Sequence, residues 1–187
     1  MGKEWELGLK GPHQRENAAL AVEATCRIEG EKLSQEGIRQ SLASTQWPGR
    51  FQKVGGNIIL DGAHNPAAAH VLRRTWDETY GDQKAALIFG AAESKDVRQI
   101  FEELQPIVGS VCFVPIRSER RLSLESLRES WTEAGGVAEA VREAESLEDA
   151  LDQEPPPGTI TLVAGSLFLI GEALGILTGD EFEVSLQ

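Results

Sequence analysis

Asp61 closes the apolar run Ile58-Ile59-Leu60 and opens the stretch Asp61-Gly62-Ala63-His64-Asn65-Pro66. A carboxylate leaving a strand at that point can accept from paired hydroxyls or face a cation, and Gly62 lets another backbone or a ligand come close. His64 and Asn65 precede Pro66, which suits the first turn of a helix, and a helix start favours carboxylate or phosphate. A plainer account also fits, in which Asp61 forms a turn, Asn65 caps the helix and His64 is merely exposed. Ser166 follows Gly165 after a second apolar run, so its hydroxyl either caps the next helix or binds a substrate carboxylate. Arg50 follows Gly49 in a Pro-Gly turn, suited to a phosphate or simply solvated. Lys95-Asp96 stands at a further helix start, with Asp96 a favourable first-turn charge and Lys95 able to reach a ligand.

The elements that must position these residues are legible from periodicity. Ala18, Ala21, Val22, Thr25 and Ile28 recur at helical spacing between Gln14 and Glu29, with Gly30 as the stop, and a shorter helix runs from Gln35 to Ser44. Trp47-Pro48-Gly49 breaks the pattern. Phe51–Val54 and Asn57–Leu60, joined through Gly55-Gly56, read as a hairpin. Helices are then expected over 66–80, 97–104, 123–131, 146–152 and 167–177, and strands over 84–89, 108–115, 137–141 and 159–163. This alternation specifies an α/β fold, a mostly parallel Rossmann-like sheet with helices on both faces, preceded by a helical N-terminal extension. In such a sheet ligands sit beyond the carboxyl ends of the strands, which is where Asp61, His64, Lys95 and Ser166 fall.

With 18 Lys and Arg against 30 Asp and Glu, the chain carries a net charge of −12. That balance argues against non-specific nucleic-acid binding and against an anionic membrane surface. No apolar run approaches a membrane span, and the N-terminal residues lack a signal-peptide core, so a soluble, cytoplasmic protein is expected. Residues 1–65 hold eight acidic and eight basic side chains, whereas residues 119–154 hold eleven and four. The acidic third reads as solvated helix faces, which leaves the neutral first part as the place for an anionic ligand. Cys26 and Cys112 are expected to be small buried apolar residues, and no metal site is indicated. There is no phosphate loop, no dinucleotide fingerprint and no nucleophile elbow, so a self-sufficient nucleotide site and a serine hydrolase are both disfavoured.

Five short segments, in order, resemble the C-terminal part of folylpolyglutamate synthase/dihydrofolate synthase, within the Mur-ligase superfamily. They are Leu9-Lys10-Gly11-Pro12-His13-Gln14 with Asn17-Ala18-Ala19, Trp47-Pro48-Gly49-Arg50-Phe51-Gln52, Leu60-Asp61-Gly62-Ala63-His64-Asn65-Pro66, Phe89-Gly90 through Lys95-Asp96-Val97, and Gly165-Ser166-Leu167-Phe168. The resemblance implies an ATP-dependent amide ligase that activates a folate or dihydropteroate carboxylate as an acyl phosphate and joins it to L-glutamate. Carried over by position, it implies that Asn17 contacts adenine, Arg50 the phosphates or ribose, and Asp61 the ribose hydroxyls. His64 and Ser166 would lie toward the glutamate or the reacting centre. The family's phosphate loop and Mg²⁺ ligands belong to an upstream ATPase domain. Residues 1–45 are therefore expected to be the helical tail of that domain and residues 46–187 the C-terminal α/β domain, inactive without its other half. The resemblance leaves open which of Arg117, Arg120 and Arg121 replaces the family's arginine after the fourth strand. It also leaves open whether dihydrofolate synthesis, tail extension or both are catalysed. The rival readings are a ligase for UDP-linked muramyl peptides and a free-standing, non-enzymatic module that binds a nucleotide or a protein.

Overall fold

A computed structural model describes residues 5–29, 33–93, 96–153 and 155–179. Helices α1 (His13–Glu29) and α2 (Gln35–Ser44) come first. A six-stranded sheet follows, built from β1 (Gln52–Val54), β2 (Ile58–Leu60), β3 (Ala85–Phe89), β4 (Val108–Phe113), β5 (Val141–Glu143) and β6 (Ile160–Ala164). Its spatial order is β1-β2-β6-β3-β4-β5. The hairpin pair β1–β2 is antiparallel, and the other four pairs are parallel. Helices α3 (Pro66–Tyr80), α4 (Val97–Leu104) and α5 (Leu124–Glu133) pack on one face, and α6 (Leu147–Asp152) and α7 (Leu167–Thr178) on the other. The expected α/β architecture is thus the observed one.

Burial on both faces explains why β3 reads as an unbroken apolar run and β6 as one interrupted only by Thr161, each with all five residues buried. Along β3, Leu87 and Phe89 feed the α3–α5 side while Ile88 feeds the α6–α7 side. Phe101 of α4 anchors the first layer, its ring centroid 4.7 Å from Phe89, 5.7 Å from Phe113 and 5.4 Å from Trp131. Such aromatic contacts add about 0.5–1.5 kcal/mol each beyond area burial. After β5 the chain turns back, and β6 inserts between β2 and β3. The loops leaving β2, β6 and β3 therefore become neighbours at one end of the sheet, the topological switch point where α/β sheets bind ligands.

Several expectations need correction. The strand expected over 137–141 is a 3₁₀ turn, Ala138–Ala140, and the strand starts only at Val141. Val137 accepts the Trp131 indole N–H (3.2 Å), which ties this stretch to the end of α5 instead of the sheet. Asp96 is not a first-turn charge but the N-cap of α4, accepting from the Gln99 N–H at 3.1 Å. Cys112 is buried as expected, but Cys26 is exposed. The reason is that α1 lies outside both packed layers; Leu20 and Ile28 are 70% and 80% exposed. Gly30 and Lys95 lie outside the described residues. Every described acidic residue between 119 and 152 is exposed, in line with solvated helix faces. Among the described residues, no helix is long and apolar enough to cross a membrane.

Candidate functional site

The end of β2 is woven into its neighbours by the backbone. Asp61 donates its N–H to Val163 of β6 (3.0 Å), Gly62 donates to Gly49 (2.8 Å), and Gly165 donates to Ala63 (2.9 Å). Two glycines permit this closeness. A Cβ on Gly62 would come within 2.5 Å of Leu167, and one on Gly165, at φ +112°, would meet the Gly90 carbonyl oxygen at 2.6 Å. The loops after β2, β3 and β6 thus form one rigid floor.

On that floor Asp61 has the turn-forming task that the plainer account gave it. Its Oδ2 accepts from the Phe51 N–H and its Oδ1 from the Ala63 N–H, both at 2.9 Å. Both oxygens are engaged by backbone amides, so the carboxylate first of all holds the Trp47–Phe51 turn in place. Phe51 has φ +46°, the left-handed region that a bulky residue occupies only at a cost of about 1–3 kcal/mol. Its buried ring, whose centroid lies 6.3 Å from that of Trp76 and 6.1 Å from that of Tyr80, helps hold it there. The consequence is an exposed Arg50 carried on a constrained turn. Burial raises the Asp61 carboxyl above the usual carboxylate value of 3.8, against the opposing pull of its two amide donors and of Arg50.

Asn65 caps α3 by accepting from the Ala68 N–H (2.9 Å), with Pro66 in the first turn, so the plainer account holds for that residue. His64 does not cap. Its Nδ1 lies 2.8 Å from the Gly62 carbonyl, an oxygen that can only accept, so Nδ1 carries the proton and Nε2 keeps a free lone pair in the neutral ring. Ser166 is buried and caps α7 by accepting from the Phe168 N–H at 3.2 Å, while its own O–H remains available to a ligand. Arg117 leaves the β4 end and pairs with Glu172 of α7 at 2.9 Å. Arg120 and Arg121, exposed like Arg117, join the β3 loop through their backbones.

Arg50 and Asp61 meet at a cavity of about 280 Å³ that is also lined by Lys10, His13, Gln14 and Thr75. Asn17 does not line it, but joins through a relay. The Asn17 amide donates to Gln14 Oε1 (3.1 Å), and Gln14 Nε2 donates to His13 Nε2 (2.9 Å). That polarity leaves the proton of His13 on Nδ1, which is buried without a hydrogen-bond partner among the described residues. Burial, and after it Arg50, lowers the His13 pKa below 6.5, so the ring is neutral at neutral pH. Lys10 and His13 stand in the first of the five family-like segments but were given no site role there. The signal was the turn Gly11-Pro12, where Gly11 at φ +108° packs so tightly that a Cβ there would come within 3 Å of both His13 and Thr75 of α3. His64 and Ser166 stand on the floor outside this cavity. Among the described residues, no group of three or more His, Cys, Asp or Glu side chains is placed to hold a metal.

The chain as a whole is similar to known proteins. The family model of the Mur ligase glutamate ligase domain matches residues 49–167. A probable bifunctional folylpolyglutamate synthase/dihydropteroate synthase of Halobacterium salinarum is 32% identical over 179 residues, covering 92% of this chain and 22% of that protein. The dihydrofolate synthase/folylpolyglutamate synthase of Bacillus subtilis is 26% identical over 176 residues, covering 88% of this chain and 39% of its own length. Among solved structures, Mycobacterium tuberculosis folylpolyglutamate synthase complexed with ADP and AMPPCP superposes with a TM-score of 0.86 at 28% identity, over 97% of this chain and 43% of that one. The chain therefore spans well under half the length of these relatives.

Proposed function

This chain belongs to the Mur ligase glutamate ligase domain family, and we propose that it forms the C-terminal part of an ATP-dependent ligase that joins L-glutamate to a folate or dihydropteroate carboxylate. The observation that carries this reading is the cavity at the β2 end, where a strained turn presents Arg50 beside Asp61 and Lys10. Opposed carboxylate and cations suit a nucleotide, with the remaining acceptor capacity of Asp61 toward ribose hydroxyls and Arg50 toward phosphate. Asn17, fixed by Gln14, is assigned to the base. ATP and L-glutamate are the partners implied by the names of the relatives and by the ADP and AMPPCP complexes among them.

In the proposed reaction the folate carboxylate attacks the γ-phosphorus and ADP leaves, giving an acyl phosphate. The glutamate amine then attacks the acyl carbon, phosphate leaves, and one amine proton is lost. The free Nε2 of His64 is suited to take that proton, and the Ser166 hydroxyl to bind a carboxylate of the incoming glutamate. Mg²⁺ is assigned to an upstream ATPase domain. Residues 1–45 are read as the tail of that domain, and the uncovered Leu20 and Ile28 of α1 support this.

The test is made on the protein at its native length, immunopurified from its source with an antibody to this domain. A band more than twice 20.3 kDa and ATP-dependent incorporation of labelled L-glutamate into folate or dihydropteroate are expected. A 20.3 kDa band with no incorporation would replace this reading with a free-standing binding module.

A further inference from the structure

Helix α6 has six residues and is about 9 Å long, whereas the five residues of β3 span about 16 Å. The α6–α7 layer therefore stops short of the amino ends of the strands. A cavity of about 330 Å³ opens there, at the opposite end of the sheet from the β2, β3 and β6 loops. None of Asn17, Arg50, Asp61, His64 or Ser166 lines it, so it stands apart from the ligase reading. Its volume falls at the lower end of the range of roughly 300–1,000 Å³ usual for small-molecule sites. Strand register builds its floor, where Ile58 of β2, Thr161 of β6, Ala86 of β3 and Ser110 of β4 form one row. Alternation puts that row on the face of Ile88 and Val163. Thr161 is only 7% exposed, yet its hydroxyl has no hydrogen-bond partner among the described residues, and neither has that of Ser110.

The lining narrows the ligand. Ala86, the smallest side chain of the row, leaves a slot between the two hydroxyls, whose strands are two spacings, about 9.5 Å, apart. Pro155, Pro156 and Pro157 make a wall without a backbone N–H. That wall is fixed in advance, which lowers the cost of binding. Thr159 donates its N–H to the Pro156 carbonyl (3.0 Å) across Gly158 at φ +84°, and Gln83 Nε2 donates to the Gly158 carbonyl (2.8 Å). On the rim, exposed Arg142 of β5 gives one N–H to Gln153 Oε1 (2.9 Å). Among the described residues Arg142 forms no ion pair and is the lone charged group along the lining. It stands on the strand next to that of Ser110. A planar guanidinium with no opposing acid suits one carboxylate. A stiff apolar wall over a narrow floor suits a flat ring, and the Thr161 hydroxyl suits a polar group across that ring. We propose that this cavity binds a small aromatic monocarboxylate, its carboxylate at Arg142 and Ser110, its ring over Ala86 and a hydrogen-bonding ring substituent at Thr161.

The full chain is titrated with 4-hydroxybenzoate, benzoate and 4-hydroxybenzamide, followed by calorimetry and by methyl NMR. Saturable binding of 4-hydroxybenzoate with a Kd of about 1 mM or tighter is expected, with shifts at Ile58, Ala86 and Ile88. The neutral benzamide should bind about tenfold more weakly or worse. Arg142 is exposed, so R142A should fold normally and weaken both carboxylates about fivefold or more. T161V replaces an unpartnered hydroxyl by a methyl group in a strand, so Tm should hold. It should weaken 4-hydroxybenzoate about three- to tenfold and leave benzoate unchanged. Absence of saturation by about 10 mM, or shifts confined to Ala67 and Val71 at the nucleotide cavity, would overturn the proposal. Equal binding of the benzamide, or affinities left unaltered by R142A and T161V, would overturn it as well.

Discussion

Replacing Asp61 by Asn keeps the shape of the side chain and removes one acceptor. In the wild type, each carboxylate oxygen takes one backbone N–H at 2.9 Å, from Phe51 and Ala63. An Asn side chain has one oxygen and one NH₂, so one of those amides must face another donor. An unsatisfied buried N–H costs about 1–3 kcal/mol. For a chain of this size each kcal/mol lowers Tm by about 2–4 °C, so D61N should melt about 2–12 °C below wild type at neutral pH. The loss is partly offset, because the variant no longer buries a charge. That offset gives the experiment its sign. Burial raises the Asp61 carboxyl above 3.8, so between the unfolded and folded values the native state binds more protons than the unfolded state. The protonation-linked part of the Asp61 contribution is then present in full below 3.8 and is lost as pH rises through the folded value, while the two amide hydrogen bonds persist at neutral pH. A protonated Asp can still accept from both amides, which Asn cannot. Urea unfolding of both proteins from neutral pH into the acid range should therefore show the gap between them widening as pH falls. A gap within about 0.5 kcal/mol at neutral pH, where surface substitutions ordinarily fall, or one that narrows on acidification, would refute the role given to Asp61.

Gly165→Ala should destabilise by about 1–3 kcal/mol from the φ of +112° alone, with the contact to the Gly90 oxygen adding to it; a Tm within 1–2 °C of wild type, roughly a surface-substitution effect, would contradict the packed floor. His64→Ala should leave the unfolding midpoint nearly unchanged but lower glutamate incorporation by the native-length protein about 100-fold or more, and full activity would remove His64 from the reaction. With a thiol reagent in native buffer, exposed Cys26 should react quickly, and Cys112, buried and with its thiol pushed up by burial, should react only on unfolding; two fast thiols would show that the α6–α7 layer opens readily.

Much of this site was legible because it follows from local chemistry. Asn65-Pro66 and Gly165-Ser166 announce helix starts, and the apolar runs of β3 and β6 announce strands covered on both sides. The commitment of Asp61 was present in the hairpin but needs the register to be read. Gln52 pairs with Leu60, so one step further Phe51 stands across from Asp61, and its N–H is the donor the carboxylate meets. The positive φ of Phe51 carries no sequence signal, since the residue is bulky and only the surrounding packing makes that conformation tolerable. The exposure of α1 was hidden for another reason. Periodicity shows that a helix has an apolar stripe, but it does not say whether the partner of that stripe lies within the same chain. Cys26 was misplaced with it.

The division between engaged and free atoms explains how the site can be both rigid and reactive. Asp61 and Asn65 spend their oxygens on backbone amides and so behave as structural parts of the β2 loop. His64 and Ser166 are each held by one hydrogen bond, yet keep Nε2 and O–H for a substrate. A free polar atom on a packed loop loses little entropy when a ligand arrives, which is the condition for precise positioning at low cost. The cations that would grip phosphate, Lys10, Arg50 and Lys53, sit together on the hairpin side, whereas the acidic side chains of residues 119–152 all face solvent on and around α5 and α6. Beyond a Debye length of about 8 Å at physiological salt, those acids contribute little at the cavity. An anionic ligand therefore meets a locally cationic mouth on a molecule of net charge −12. Neutralising Lys10 or Lys53 should consequently weaken anion binding more than reversing any of the exposed α5 glutamates would strengthen it, and equal effects from the two sets would mean that net charge, not the cavity, governs binding.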